Sequence, residues 1–371
     1  MPPYGVLSGR LIFGNLGRVP VLTQIQCVVP ENRRASRQVS GEWQLAEQGA
    51  GVANGWLRAV AIQFFILVAA LGAAEVILRV IDLRYLRAYR VGADRIYNYD
   101  AELGWFPVPN SDVTFTGIRT IKVHHNSLGL RDIEHDTAAK PTIAFIGDSF
   151  VWGYDAEANE RFTELLREKM SEHRIVNAGL TAYGTDQEYL VLRRLWDRIK
   201  PNVVVLMVCV DNDRKDNTVN TRQDGPYKPY FLMSPNGGEF KGIPVPWSRH
   251  LYFADNWLAR NSWVVRVVMS AYVLIANPQV TVPDPTERLI DMMRELVESR
   301  GAKFLVGLQY REPQLEAALA AQKIPYVSFD GAEHYPGDGD HWTPKGHELV
   351  ADRLMTLLSE NGIGSSGTPS Q

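Results

Sequence analysis

A β-branched, apolar run at residues 142–146 ends at Gly147, and Asp148 and Ser149 follow it directly. The composition of the run predicts a buried strand, and Gly147 permits a sharp turn at its end. In an open parallel α/β sheet, ligands bind at the carboxyl ends of the strands. Ser149 therefore stands where a nucleophile would be expected, although a serine that caps the next helix produces the same short pattern.

From residue 141 onward, patterns typical of strands alternate with patterns typical of helices. Apolar runs predict five strands, at 142–146, 175–177, 203–210, 303–308 and 326–329. Helical periodicity predicts five helices, near 160–172, 186–199, 285–300, 312–322 and 344–360. This alternation is typical of the α/β class, in which a central parallel sheet carries helices on both faces.

The interval from about 218 to 283 interrupts the alternation and is rich in Pro, Gly and Trp. We expect an insertion beside the strand ends, where loops shape a substrate site. It contains an apolar run at 263–276 that is too short to span a membrane and that carries Arg266. This run predicts a buried or capping helix.

Residues 59–83 form a long apolar segment, in which Gln63 is the one strongly polar residue before Glu75 and Arg79. About 20 mostly apolar residues suffice to cross a bilayer as a helix, so the segment predicts a single membrane anchor. A cleaved secretory signal is an alternative if translation begins later in the chain. A buried core helix is another, although the run has no polar face.

The remaining segments complete the predicted domain organisation. Residues 1–55 and 362–371 have no periodicity and predict disordered tails. The anchor occupies 56–83, and residues 84–140 predict a linker with short β-segments of structural role. The α/β domain then extends over 141–361.

Composition narrows the classes of function. The formal net charge of -3 over 371 residues, without a stripe of Lys and Arg among aromatics, argues against nucleic acid as a partner. Cys27 lies in the predicted tail and Cys209 in an apolar strand, so we do not expect a structural disulfide. The sequence has no Cys/His cluster with the spacing of a zinc site, and we expect neither a metal nor another cofactor.

A candidate general base lies near the C-terminus. A serine is a poor nucleophile until a base takes its proton, and histidine titrates in the range where it can do so. Asp338 and His341 are three apart in a Gly-containing loop, so the carboxylate can fold back onto the imidazole and fix its tautomer. Asp340 would point elsewhere, and His347 is expected to pack in the following helix. A solvated turn is the alternative interpretation.

An acyl-transfer site also needs hydrogen-bond donors for the oxyanion that develops during the reaction. The loop at 177–184 is built of small residues that leave backbone N–H groups accessible. Asn212 follows the predicted strand at 203–210 and has a side-chain NH₂ group. Each of these segments, taken alone, is also compatible with ordinary turn chemistry.

Together, these segments resemble the four sequence blocks of the SGNH (GDSL) hydrolase superfamily, and in the same order. The blocks are Gly-Asp-Ser at 147–149, the loop at 177–184, Asn-Asp at 212–213 and Asp-x-x-His at 338–341. The resemblance covers about residues 141–360 and implies a flavodoxin-like α/β/α sandwich. It also implies that Ser149 is the nucleophile and His341 its base, with Asp338 orienting the base. The Ser149 N–H and the Asn212 side chain would then donate to the oxyanion.

Two positions depart from the family pattern. Counted from Asn177, the glycine that supplies the third oxyanion donor is replaced by Ala182, and Gly179 and Gly184 are the alternative donors. Val210 replaces the glycine of the third block. An alanine N–H serves as well as that of glycine unless the position requires a positive φ.

The resemblance implies a serine esterase that forms an acyl-enzyme and removes small O-acyl groups from a carbohydrate. The anchor and the Gly-Asp-Ser-Phe start resemble bacterial membrane-anchored, polysaccharide-associated members, and Asp-His-Trp at 340–342 resembles the alginate O-acetyltransferase branch. Two alternatives therefore stand: an O-acyltransferase with the same residues, and a non-catalytic carbohydrate-binding or assembly protein. The expected partners are an acylated carbohydrate or other small ester, the membrane through residues 59–83, and polysaccharide-assembly proteins.

The same resemblance implies a single-pass protein of the bacterial inner membrane, with its catalytic domain periplasmic or extracellular. The arginines near the anchor point the other way: Arg58 precedes it, and others follow at 79, 84, 87, 90 and 95. The positive-inside bias would place the large domain in the cytoplasm. A large C-terminal domain can nonetheless translocate despite such a bias.

Overall fold

A computed structural model of the chain describes residues 35–87, 96–135, 140–222, 225–235, 237–337 and 341–364. Two compact units are distinguished, Met1–Ala69 and Ala70–Gln371. Of the tails predicted at 1–55 and 362–371, residues 1–34 and 365–371 lie outside the described residues. Residues 362–364 are described, and Ile363 is buried in an apolar cluster.

Helix α1 (Ala35–Ile81) is the longest helix among the described residues. Its part Gly55–Ile81, 27 residues long, is apolar enough to cross a membrane and is exposed to the surroundings. The predicted apolar helix is therefore present, and it is compatible with a single-pass anchor. It begins at Ala35 rather than at residue 56, because extending an existing helix adds a hydrogen bond per residue without a new nucleation cost. The prediction of a disordered tail to residue 55 is wrong over residues 35–55.

Two β-hairpins follow in the segment predicted as a linker. The first pairs β1 (Tyr97–Asp100) with β2 (Gly104–Pro107), and the second pairs β3 (Ser111–Thr116) with β4 (Thr120–His125). In β4, Ile121, Val123 and His125 alternate inward with exposed residues, which is the pattern of a strand with one buried face.

A five-stranded parallel sheet forms the centre of the second unit, and a short antiparallel pair lies in the insertion. In chain order, the strands are β5 (Thr142–Gly147), β6 (Arg174–Gly179), β7 (Val203–Val208), the pair β8 (Tyr230–Leu232) and β9 (Glu239–Lys241), β10 (Lys303–Leu308) and β11 (Tyr326–Ser328). The order across the sheet is β11-β10-β7-β5-β6. Every residue of β5 and β7 is buried, as expected for strands covered on both faces.

Within the part of the chain that the structure describes, ten further α-helices surround the sheet or lie in the insertion. They are α2 (Ser149–Trp152), α3 (Phe162–Lys169), α4 (Thr185–Ile199), α5 (Asp213–Asn217), α6 (Arg249–Asp255), α7 (Trp257–Asn261), α8 (Trp263–Ala276), α9 (Thr286–Ser299), α10 (Pro313–Ala321) and α11 (Pro344–Glu360). Residues of α4, α9 and α10 pack in one apolar cluster with the sheet, and residues of α3 and α11 pack in a second. The predicted α/β class, with its central parallel sheet and flanking helices, is confirmed.

Helix α8 occupies the predicted range, and of the two alternatives predicted for it, a buried or a capping helix, the buried one is wrong. Only Arg266, Ser270 and Val273 are buried, while most of its apolar side chains are exposed. The reason is that the inward face carries the polar residues. The Arg266 guanidinium donates to three backbone carbonyls, those of Leu86, Ala259 and Arg260, and this holds the helix in its orientation.

A buried ion pair fastens the insertion to α4. Lys228 and Asp186 are hydrogen-bonded, and both side chains are fully buried. The same ammonium donates to the backbone carbonyls of Asp216, at 3.0 Å, and of Pro229, at 3.1 Å. All donors of the lysine are thus used, and the insertion is held beside the carboxyl ends of the strands.

We predict that Lys228→Met lowers the free energy of unfolding by about 3–5 kcal/mol, because it leaves the buried Asp186 carboxylate without a cation. The measurement is urea unfolding of the full chain in detergent micelles. Lys241→Met is the matched control, since Lys241 lies in the same insertion and pairs with Glu239 at the exposed surface. Its loss should stay within about 0.5 kcal/mol. Equal losses in the two variants would contradict this account of the insertion.

Candidate active site

Ser149 is the first residue of α2 and directly follows the end of β5. Asp148 is the N-cap of this helix, and its carboxylate accepts the N–H of Phe150 at 2.9 Å. The first N–H groups of a helix have no partner within the helix, so the N–H of Ser149 remains available as a donor. A turn between strand and helix thus presents both the hydroxyl and the N–H of Ser149 at the carboxyl edge of the sheet.

His341 lies against this serine. Its Nε2 is 2.7 Å from the Oγ of Ser149, a hydrogen-bond distance suited to removal of the hydroxyl proton. The structure therefore brings together the two residues that the sequence analysis assigned as nucleophile and base. Asp338, the predicted orienting acid, lies outside the described residues together with Asp340, and its role stays a prediction.

The loop that carries His341 is anchored immediately after it. Trp342 is buried, and its indole ring makes edge contacts with Phe150, Phe162 and Phe329. Thr343 then caps α11, since its hydroxyl accepts the N–H of Gly346 at 3.1 Å. The sequence His-Trp-Thr-Pro thus places a base, a core anchor and a helix start in succession.

Aromatic rings hold the His341 imidazole in place. Tyr154 stacks on it, with ring centroids 4.3 Å apart and planes 18° apart. Phe150 packs against it with centroids 4.8 Å apart. The sequence predicts no role for either residue. The sequence does place aromatic side chains one and five residues after Ser149. The helix and turn that carry them are too short to show a periodic pattern.

The stretch 126–132 supports the nucleophile turn, which gives it a role beyond that of a linker. Arg131 is buried and donates to the backbone carbonyls of Trp152, Gly153 and Ala156. Its guanidinium also lies 4.5 Å from the centre of the Trp152 ring. The next residue, Asp132, accepts the N–H of Asn177 in β6 at 2.9 Å. Arg131 therefore fixes the segment that carries Tyr154.

Of the three candidates for the oxyanion donor in the loop at 177–184, two use their N–H groups elsewhere. The N–H of Gly179 donates to the Asn177 side chain at 3.0 Å, and that of Gly184 to the Gln187 side chain at 3.4 Å. Ala182 remains, and its φ is +64°. The position does require the left-handed region, which costs a residue with a Cβ about 1–2 kcal/mol.

Asn212, the predicted side-chain donor, lies beside the nucleophile turn. Its Nδ2 donates to the Asp148 carboxylate at 3.2 Å. Asp148 therefore connects the start of α2 with Asn212 and fixes the position of the amide relative to Ser149. A side-chain NH₂ has two hydrogens, so one donor remains after the contact with Asp148.

Buried carboxyl groups surround this connection. Burial raises the pKa of Asp148, opposed by its hydrogen bonds from Phe150 and Asn212. Burial also raises the pKa of Glu188 and of Asp213 well above the ordinary range, and charge repulsion among the three adds to both shifts. The environment behind the nucleophile therefore favours neutral carboxyl groups.

His347 has a structural position. It is buried, its Nδ1 accepts the N–H of Phe162 at 3.4 Å, and burial lowers its pKa to about 3, which keeps the ring neutral. Among the described residues, no group of three His, Cys, Asp or Glu side chains is arranged to hold a metal ion.

We predict that Glu188→Gln stabilises the protein in a pH-dependent way. The pKa of the Glu188 carboxyl is raised in the folded protein, whereas in the unfolded chain it is about 4.3. The carboxyl therefore destabilises the folded protein progressively as pH rises from about 4.3 to the pKa of the folded state. Melting temperatures of the full chain in micelles should therefore show a small gain for the variant at pH 5 and a larger gain at pH 8. Glu298→Gln, at an exposed position of α9, is the control. A gain that is independent of pH would contradict the assigned shift.

Comparisons with known proteins find similarity in solved structures alone, since no family model and no curated protein matches this chain. A member of the lipolytic G-D-S-L family from Veillonella parvula is 14% identical, with a TM-score of 0.35, over 60% of this chain and 99% of its own. A GDSL-like lipase from Bacteroides thetaiotaomicron is 13% identical, with a TM-score of 0.34, over 60% and 93%. The psychrotrophic esterase EstA from Pseudoalteromonas is 10% identical, with a TM-score of 0.33, over 60% and 98%.

Proposed function

We propose that this chain is a serine esterase of the SGNH type that works through an acyl-enzyme at Ser149. The observation that carries the proposal is the distance of 2.7 Å between the Oγ of Ser149 and the Nε2 of His341, at the carboxyl edge of a parallel sheet. The four sequence blocks of the SGNH superfamily support it, because they assign the same two residues as nucleophile and base.

In the first half of the reaction, His341 takes the hydroxyl proton while the Oγ of Ser149 attacks the acyl carbon. The oxyanion of the tetrahedral intermediate receives hydrogen bonds from the N–H groups of Ser149 and Ala182 and from the Asn212 side chain. His341 then gives its proton to the leaving alcohol oxygen, which leaves the acyl group on Ser149. Asp338 would stabilise the imidazolium that forms in between.

In the second half, His341 takes a proton from water, and the resulting hydroxide attacks the acyl-enzyme. The intermediate collapses, Ser149 regains its proton from His341, and the carboxylic acid leaves. We propose a small O-acyl group on a carbohydrate as the substrate, as implied by the resemblance to polysaccharide-associated members. An O-acyltransferase would use the same residues with a sugar hydroxyl in place of the water.

We further propose that α1 anchors the chain in the bacterial inner membrane as a single span, with the catalytic unit on the periplasmic or extracellular side. The support is the 27-residue apolar part of α1, which exceeds the length that a bilayer requires. Polysaccharide-assembly proteins are the expected neighbours at that membrane.

The first test follows acylation of the full chain in micelles by p-nitrophenyl acetate, with intact-protein mass spectrometry. We expect an acetyl adduct in the native chain that clears in water. In Ser149→Ala the adduct should be absent and kcat/KM lower by at least about 10³-fold. Ser299→Ala, an exposed serine at the end of α9, should behave as the native chain.

The outcomes separate the competing functions. An adduct that clears only when an oligosaccharide acceptor is added identifies an acyltransferase. Absence of both adduct and turnover in a folded protein would overturn the esterase and favour a carbohydrate-binding or assembly protein.

The second test concerns Tyr154 as a positioning residue. Because its ring stacks on the imidazole, Tyr154→Ala frees the base to rotate, and we expect kcat to fall by about 10- to 100-fold with little change in KM. Tyr154→Phe keeps the stacking and should retain most of the activity. If the Phe and Ala variants lose activity equally, the phenol hydroxyl and not the ring stack is what matters.

A further inference from the structure

Two consecutive helices of the insertion expose a concentrated set of large apolar side chains. Trp257 is 70% exposed, Val268 63% and Ile275 82%. We call this surface the α7–α8 face, and its members are Trp257, Leu258, Val267, Val268, Tyr272 and Ile275. Contiguous apolar surface of this kind marks a site of contact with a protein or a membrane.

Unlike an ordinary surface helix, α8 exposes large apolar side chains and buries its polar ones, Arg266 and Ser270, together with Val273. Val268, Tyr272 and Ile275 recur at helical spacing on the exposed side. The Arg266 guanidinium donates to the carbonyls of Ala259 at 2.7 Å and Leu86 at 2.9 Å, which fixes the polar face inward. A helix with its apolar side outward is suited to an apolar environment outside the protein.

The α7–α8 face is attached directly to the end of the apolar helix α1. The Glu75 carboxylate accepts the Ser262 hydroxyl at 2.9 Å and the first two backbone N–H groups of α8 at 2.9 and 3.0 Å. Arg79 donates to the Asn261 carbonyl at 2.7 Å. Leu78 packs with the small apolar cluster beneath α7 and α8. The start of α8 therefore lies at the level of residues 75–79.

The length of α1 places that level at the membrane surface. At 1.5 Å per residue, the 27 residues of Gly55–Ile81 extend for about 40 Å, whereas the hydrocarbon core of a bilayer is about 30 Å thick. About 10 Å of the helix, roughly seven residues, then lies outside the hydrocarbon core. Glu75 and Arg79 are the first charged residues after Arg58, so they favour the C-terminal end of the helix for this part. Residues 75–79 fall in this part, and α7 and α8 lie beside them.

We propose that the α7–α8 face is a lipid-binding surface, which lies in the boundary between headgroups and acyl chains of the membrane that α1 crosses. Trp257 and Tyr272 are the aromatic types enriched at that boundary, and the aliphatic side chains enter the acyl layer. The inference rests on the proposed span and is independent of the reaction at Ser149.

The test measures membrane depth in the full chain, reconstituted in vesicles of phosphatidylcholine and phosphatidylglycerol. Single cysteines are introduced by Val268→Cys, Ile66→Cys in the span and Ile118→Cys in the β3–β4 turn, and each is labelled with an environment-sensitive fluorophore. Ile118 is the matched control, because it is also an exposed aliphatic residue. All three variants also carry Cys27→Ser, so that residue 27 takes no label. Cys209 is buried.

We expect nitroxide-labelled lipids to quench the label at Val268→Cys several-fold more than the label at Ile118→Cys. Iodide in the water should quench the label at Ile118→Cys more than the label at Val268→Cys. If iodide quenches the label at Val268→Cys as strongly as the label at Ile118→Cys, the surface contact is overturned. If the lipids still quench the label at Ile66→Cys, the span remains. A disulfide between two unlabelled Val268→Cys chains in the vesicles would overturn the surface contact in favour of a second copy of the chain. Absence of lipid quenching at Ile66→Cys would overturn both.

Discussion

The contact between Ser149 and His341 is the interaction around which the second unit is arranged. The serine belongs to the turn after β5, and the histidine belongs to the loop before α11, so neither local sequence can form the site alone. Packing supplies the precision: the Trp342 ring fills the core beneath the loop, and Tyr154 and Phe150 enclose the imidazole. A base held between rings keeps one orientation and loses little entropy when the reaction begins.

Close backbone packing makes the site possible on the side of the nucleophile. A Cβ on Gly179 would lie 2.3 Å from the backbone nitrogen of Trp152, and a Cβ on Gly147 would lie 2.9 Å from the carbonyl oxygen of Met207. The end of β6 can therefore approach the turn that carries Ser149. Arg131 fixes the far end of that turn through three backbone carbonyls. Thus a segment outside the α/β core stabilises the part of the core where the chemistry is proposed.

Much of the fold is predictable from the sequence because the strands are short apolar runs with polar ends. From the sequence alone, the run at 142–146 predicts a strand end, and the Asp338-x-x-His341 pattern predicts a base. The positions of Tyr154 and Arg131 were not predictable, because each depends on a contact between segments that have no periodicity of their own. For a related reason, the sequence left open whether 263–276 forms a buried or a capping helix: its composition suits either, and the hydrogen bonds of Arg266 reveal which face turns inward.

The most direct measurement for the central claim is peptide mapping by mass spectrometry after the full chain reacts with an alkyl fluorophosphonate. The activated serine oxygen displaces fluoride from phosphorus, and the resulting tetrahedral phosphonate ester mimics the tetrahedral intermediate. We expect a single adduct on Ser149, which disappears when His341→Gln removes the base. An adduct on another serine, or an unmodified Ser149 in a protein that remains folded, would contradict the assignment of Ser149 and His341 as nucleophile and base.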